Sequence, residues 1–241
     1  MEWDKFTPID FDKFVPTELR IPGIRQYLHD VLGNYFEQKG FKFKKSNFSF
    51  KRKNRKAFEE ILFLFYNYHP VNYRFEFYVK VFNEKIESVK LSLPPQSHRE
   101  KFNRYSLLIR TSDFSHHLKT KSSAELGYDY NIVTLDDLIE VGKALTKTFQ
   151  EEVLPLLDQL TTIEGIDNFF VEKKTQWVVK SGLMNNMSTE LIAARLNGKR
   201  DYHNVYKGLH ERTTAAENPD WQTAVILENL YNHLESCFRC E

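Results

Sequence analysis

"FEEILFLFYNYHPVNYRFEFYVKVF", Phe58–Phe82, is the stretch whose reading decides the fold. In its second half Tyr73, Phe75, Phe77, Val79 and Val81 recur at every other position. A period of two residues is that of a β-strand with one face on a core. The first half carries the longest apolar run of the chain, Ile61–Tyr66, and predicts a central strand with both faces covered. Between the halves stands "HPVN", His69–Asn72, a hairpin signal that predicts antiparallel pairing.

Toward the N-terminus the same alternation returns in a basic setting. In "GFKFKKSNFSFKRKNRK", Gly40–Lys56, Phe41, Phe43, Phe48 and Phe50 fall on one side and Lys42, Lys44 and Lys51 on the other, with "SN" as the turn between two short strands. Ahead of it, Ile24, Leu28, Val31, Leu32, Tyr35 and Phe36 form an apolar stripe at helical spacing, which predicts a helix over Ile24–Lys39. Gly40 is placed as its C′ residue, and Gly33 weakens it by about 1 kcal/mol. Residues 1–22 read as an extended aromatic leader: Trp3, Phe6, Phe11 and Phe14 alternate with acids, and Pro8, Pro16 and Pro22 break any helix. The arm is expected to pack on the body or on a partner.

Toward the C-terminus, "NEK" is expected to turn the chain and "IESVKLSL" to form a strand that Pro94-Pro95 stops. "YSLLIR" reads as one more strand, and residues 111–133 as a long polar loop. From Thr134 the pattern is helical. Thr134 and Asp137 predict a capping box, and Leu138, Val141, Leu145, Phe149, Val153 and Leu156 share a face. Pro155 is expected to kink or divide that helix. Further helices are expected in "TIEGIDNFFVEK", opened by Thr161 and Glu164; in "MSTELIAARLNG", capped by Ser188 and stopped by Gly198; in "DYHNVYKGLHERT"; and after Asn218-Pro219. The expected fold is α+β: an antiparallel sheet of about five aromatic-rich strands flanked by helices, with a C-terminal helical subdomain. The division is 1–22 leader, 23–174 α+β domain and 175–241 helical subdomain packed on it.

Charge separates the function classes. Residues 41–56 hold eight Lys or Arg and no acid, a local +8 in a chain of formal net charge +1, which leaves the remainder at −7. Such a balance argues against a uniformly basic nucleic-acid binder. It makes Lys42, Lys44, Lys45, Lys51, Arg52, Lys53, Arg55 and Lys56 the candidate binding residues. Lysines beside a buried face also guard a sheet edge against aggregation. Phe exposed beside Lys would stack on bases, but a Phe in the core does not.

No arrangement of residues announces a reaction. His116-His117 with Asp113 reads as a surface loop, since adjacent side chains point apart. Arg110 and His116 have a spacing seen in some helical ribonucleases, on a segment that reads as strand. His203 and His210 share a helical face without a neighbouring ligand. Cys237 and Cys240, four and seven residues after His233, read as two free thiols, because one CxxC supplies two of the four ligands of a structural zinc site. The paired acids Glu59-Glu60, Asp136-Asp137 and Glu151-Glu152 read as solvated faces or helix N-terminal charge. Phosphate loop, dinucleotide fingerprint, G-x-S-x-G and H-E-x-x-H are missing. No catalytic residue, metal or cofactor is therefore assigned, and the reading leans away from an enzyme. With no export signal, no long apolar span and two cysteines, a soluble cytoplasmic protein without a membrane partner is expected.

The order of features resembles an uncharacterised bacterial family catalogued as domain of unknown function 4304. The resembling residues are "KGFKFKKSNFSF", the aromatic strand pair, "VTLDDLIEVGKALTKTFQEEVLPLLDQLTTIEGI" and "ELIAARLNGKRDYHNVY", in outline residues 24–210. The leader and the "NPDWQTAVILENLYNHLESCFRCE" tail lie outside it. The resemblance implies no catalytic residues. It implies a protein-binding role of the immunity kind, toxin-neutralising or defence-associated. Nucleic-acid binding through the basic hairpin 41–56 is the alternative, and an enzyme of unrecognised type the third.

Overall fold

The computed structural model describes residues 16–54, 57–68, 72–93, 105–110, 130–172, 183–215 and 220–237. The leader before residue 16, the tip of the "HPVN" hairpin, Pro94-Pro95, His116-His117, Asn218-Pro219 and Cys240 lie outside them.

The fold is α+β. Helix α1 (Ile21–Gln38) is followed by strands β1 (Lys42–Lys44), β2 (Ser49–Asn54), β3 (Ala57–Tyr68) and β4 (Asn72–Asn83), then helix α2 (Glu84–Ser92). Strands β5 (Leu107–Arg110) and β6 (Tyr130–Ile132) lead into helices α3 (Leu135–Thr148), α4 (Leu154–Gln159), α5 (Ile163–Glu172), α6 (Leu183–Asn197), α7 (Tyr202–Thr214) and α8 (Trp221–Cys237). The sheet is antiparallel in the order β1-β2-β3-β4-β5, with β6 pairing β4 next to β5. The hairpin that decides the fold is its centre: Phe63 faces Phe77 and Phe65 faces Phe75 across β3 and β4.

One face of the sheet is the core face. Tyr73, Phe75, Phe77, Val79 and Val81 are all buried, as the alternation predicts. On β3 the core face is buried from Ala57 to Phe63; on the other face Glu60 is buried and Phe58, Leu62, Leu64 and Tyr66 are half-buried. Helices α1 and α3 lie over the core face, with Ile24, Leu28, Leu32 and Phe36 meeting Leu138, Val141, Leu145 and Phe149 in one buried cluster. The helices approach closely where a Cβ on Gly142 would stand 2.6 Å from the Tyr27 hydroxyl, so a larger residue there would force the Tyr27 ring to shift.

Local signals set most helix ends. Thr134 and Asp137 close the expected capping box. Gly40 and Gly198 adopt positive φ, 82° and 68°, at the ends of α1 and α6. Before Pro155, which has no N–H to give, the ladder loosens into a π turn over Phe149–Val153 and resumes as α4. Past that turn Leu157 is buried and the expected Leu156 is only half-buried.

Several expectations are corrected. "IESVKLSL" is helix, not strand: the Asn83 side chain accepts from the N–H groups of Lys85 and Ile86, and Glu84 and Glu87 sit in the first turn. The end of the leader is not extended: Thr17–Leu19 form a 3-10 turn, and helix α1 starts at Ile21 with Pro22 in its first turn. Helix α5 is capped by Thr162, whose Oγ1 accepts from Gly165 N at 2.9 Å, and not by Thr161. Ser188 caps nothing; it lies inside α6 and donates to the Met184 carbonyl. At α8, Asp220 accepts from Thr223 N and Thr223 Oγ1. The end of the expected 111–133 loop contains β6.

The β5 edge is closed by a helix. Asn186 of α6 accepts from Leu108 N at 3.0 Å and donates to Leu108 O at 2.9 Å, which satisfies both backbone groups as a neighbouring strand would. Asn185 donates to the carbonyls of Tyr105 and Ser106, and Thr189 also donates to Ser106 O. Beneath them Lys90, 1 % exposed, reaches Asn185 Oδ1 at 3.0 Å and Glu87 at 3.2 Å.

Candidate functional site

The β1–β2 hairpin places the eight basic residues singled out by sequence. Lys42 faces Lys51 and Phe43 faces Phe50. Phe41, Phe48 and Phe50 are buried; Phe43 is half-buried and lies 4.4 Å from His29 and 5.0 Å from Phe50, ring centre to ring centre. The turn between the strands runs through Lys45–Asn47 and holds Phe48 at φ 47°, a left-handed conformation unfavourable for a bulky side chain. Burial against Phe43, Phe63 and Phe65 holds that ring inward. None of the buried rings is available to a base.

The basic side chains meet three different surroundings. Arg52 pairs across the sheet with Glu59 on the core face. Its Nε lies 2.5 Å from Glu59 Oε2, its Nη2 2.7 Å from Asp158, and its guanidinium 4.7 Å from the Phe41 ring centre. Glu59 is wholly buried; desolvation pushes its carboxyl up, partly offset by the Arg52 bond. On the opposite face Lys51 lies 3.1 Å from Glu60. Burial pushes the Glu60 carboxyl up, but the bonds from Lys51 and Ser49 and the charges of Lys51 and Lys80 together hold it below its ordinary value. Lys51, expected to be exposed, is half-buried in this pair. The Glu59-Glu60 doublet, expected to be solvated, supplies the hairpin's internal counter-charges.

Lys42, Lys44, Lys45 and Lys53 form the third group. All four are exposed and make no ion pair among the described residues. Arg55 and Lys56 lie outside those residues. Because β1 is the first strand of the sheet and pairs only β2 among the described residues, these lysines decorate a sheet edge. The arrangement presents exposed cationic heads.

Other polar clusters were not legible in the sequence. Tyr66 and Tyr78 hydroxyls both donate to Glu76 Oε1, at 2.6 and 2.5 Å, from alternate positions on paired strands. Burial, followed by the Glu76 bond and charge, pushes the Tyr78 phenol up to about 12, so it is a donor and not a base. Asp167 and Glu190 bind Arg200 between α5 and α6, and Arg212 of α7 reaches Glu190. His203, from the pair sharing a helical face, bonds the Tyr231 hydroxyl at 2.7 Å. A groove of about 360 Å³ between α1 and α3 is lined by Tyr27, Lys143, Thr146 and Lys147, without a convergent acid and base. Among the described residues no group of three His, Cys, Asp or Glu gathers to hold a metal ion, and no helix is long and apolar enough to cross a membrane. In comparisons with known proteins no family model matched the chain, and no curated protein and no solved structure showed significant similarity to it.

Proposed function

We propose that this chain is a non-enzymatic protein-binding protein that docks an acidic segment of a partner protein on the β1–β2 hairpin. The observation that carries the reading is the split within the hairpin. Arg52 and Lys51 are neutralised internally, the Phe rings face the core, and Lys42, Lys44, Lys45 and Lys53 remain as an exposed cationic edge. Such an edge steers and orients an acidic surface. The resemblance to the uncharacterised bacterial family supports an immunity or defence-associated partner, a toxin that the chain neutralises. Nucleic-acid binding is less well supported, because Phe41, Phe48 and Phe50 of the hairpin are buried away from any base and the remaining −7 of the molecule repels a polyanion.

Reversal of Lys42, Lys44, Lys45 and Lys53 to Glu tests the reading without touching the buried pairs. With the partner recovered from the native host, the variant should associate at least about tenfold more slowly, and the difference should shrink as salt rises. Wild type should not shift generic DNA or RNA near physiological salt. Tight, steeply salt-dependent binding to arbitrary nucleic acid, abolished by the reversal, would replace the protein-binding reading with the nucleic-acid one.

A further inference from the structure

The exposed lysines of the hairpin share one face of the sheet with a row of apolar side chains. Residues directly opposite each other in an antiparallel pair point to the same side. The register therefore puts Lys42 and Lys44 of β1 and Lys51 and Lys53 of β2 on the side of Phe58, Leu62 and Leu64 of β3. Phe82 and Lys80 of β4 face Phe58 and Glu60 there. This is the side away from α1 and α3. Phe58, Leu62, Leu64 and Phe82 are half-buried, and none of them joins the buried hydrophobic cluster, even as a partly buried neighbour. Lys51 reaches over the row, with Nζ 5.2 Å from the Phe58 ring centre. The acid on this face of β3 is Glu60, already held by Lys51 and Asn47. Glu76 on β4 accepts from the Tyr66 and Tyr78 hydroxyls.

Charge and geometry select an occupant. Lysines beside apolar side chains suit a segment that is acidic and apolar together. Strands β2, β3 and β4 are each paired on both sides, so an extended segment laid on this face would find no backbone partners. A helix satisfies its own backbone. Lys53 is one strand from Phe58, and Lys44 is two strands, about 10 Å, from Leu62. One helix, about 10–12 Å across, covers both rows. Leu62 and Leu64 offer no ring on which a base could stack. We propose that the acidic segment of the partner protein is an amphipathic helix lying along β3. Its apolar side seats on Phe58, Leu62, Leu64 and Phe82, and its acidic flank meets the lysines of β1 and β2. The proposal rests on the protein-binding reading above and names the form of the partner.

Methyl NMR of the full chain, titrated with two synthetic peptides of identical composition, tests it. One peptide places leucines along one side of an acidic helix of about 16 residues, enough to span the row. The other scrambles the same residues so that no apolar side forms. The helical peptide should shift the Leu62 and Leu64 methyl signals and leave those of the core residues Leu28 and Leu32 in place. The scrambled peptide should bind at least about tenfold more weakly, and so should the helical peptide to the Leu62→Thr, Leu64→Thr double variant. Thermal melting establishes that the variant folds, and the wild-type shifts need no variant. Shifts confined to the backbone amides of Lys42, Lys44 and Lys45, equal for both peptides, would overturn the helix on the sheet face and leave the cationic edge as the docking site. No shift at Leu62 and Leu64 up to about 1 mM peptide would also overturn it, and the association measurement with the native partner then decides the hairpin reading by itself. A single-stranded oligonucleotide that moves the same methyls more tightly than the helical peptide, with steep salt dependence, would overturn it by making the face a nucleic-acid surface.

Discussion

Arg52 and Lys44 lie in the same basic stretch, yet their surroundings give them opposite sensitivities. Arg52→Ala strands Glu59, which is wholly buried, without its counter-charge. The expected loss is about 3–5 kcal/mol of stability in urea unfolding, because an uncompensated charge stays out of water. Lys44→Ala removes an exposed, unpaired head and should change stability by no more than about 0.5 kcal/mol. Lys90 adds a pH signature. Burial pulls its ammonium down to about 8 despite the opposing pull of Glu87. The unfolded chain holds that proton up to about 10.4. Between about pH 8 and 10.5 the unfolded state therefore binds more protons, and Lys90 makes stability rise with pH across that window; below it the cost is constant. Unfolding free energies of wild type and Lys90→Met across the window should show the rise only in wild type. A flat difference between the two would contradict it.

Among the elements, α2 and α6 show where local reading fails and why. In "IESVKLSL" the apolar residues fall at 86, 89, 91 and 93, a set that fits either period, and the strand reading took the alternation. The helix signal was present in Asn83 followed by Glu84 and Glu87, and Leu91, apolar but exposed, is the residue that misleads. Helix α6 had no such signal. Its segment Asn185–Glu190 is mostly polar and suggests surface, but all ten residues 185–194 are buried, because Asn185, Asn186 and Thr189 are partners for the edge of β5. Asn186→Ala should cost about 1–3 kcal/mol, since it leaves Leu108 N–H and C=O without a partner in a dry place. It also bares the edge, so concentration-dependent light scattering near the melting transition should increase. Unchanged melting and scattering would mean that Asn186 does not close the edge.

Across the whole molecule, one buried cluster joins α1, the sheet and the helices through α8. Phe149 is at its crowded centre, with ring centres 4.9 Å from Phe36, 4.9 Å from Phe77 and 6.1 Å from Phe63. Phe149→Ala should destabilise the chain by about 3–5 kcal/mol in equilibrium unfolding, from lost transfer energy and the cavity left behind. A cost under about 1 kcal/mol would show that the sheet and helix layers close over the gap. Charge is organised on the same scale. Part of the +8 stretch is cancelled within the fold by Glu59, Glu60 and Asp158, so the exposed field of the hairpin is smaller than its sequence suggests.

The sequence by itself determined the central hairpin, its register of inward aromatics, the α1 and α3 stripes and the capping box at Thr134. Each of these depends on residues a few positions apart, and their periods of two and of about 3.6 are properties of the local chain. It also marked the basic hairpin as the candidate surface. Only the tertiary structure decided which of those cations remain free, that Glu59 and Glu60 are buried, that a polar helix closes β5, and that Ser92 meets His233. These depend on partners that the sheet and the packing of helices pair, from seven to 141 residues apart, and the cost of removing charge and backbone polarity from water appears only when folding brings those partners together.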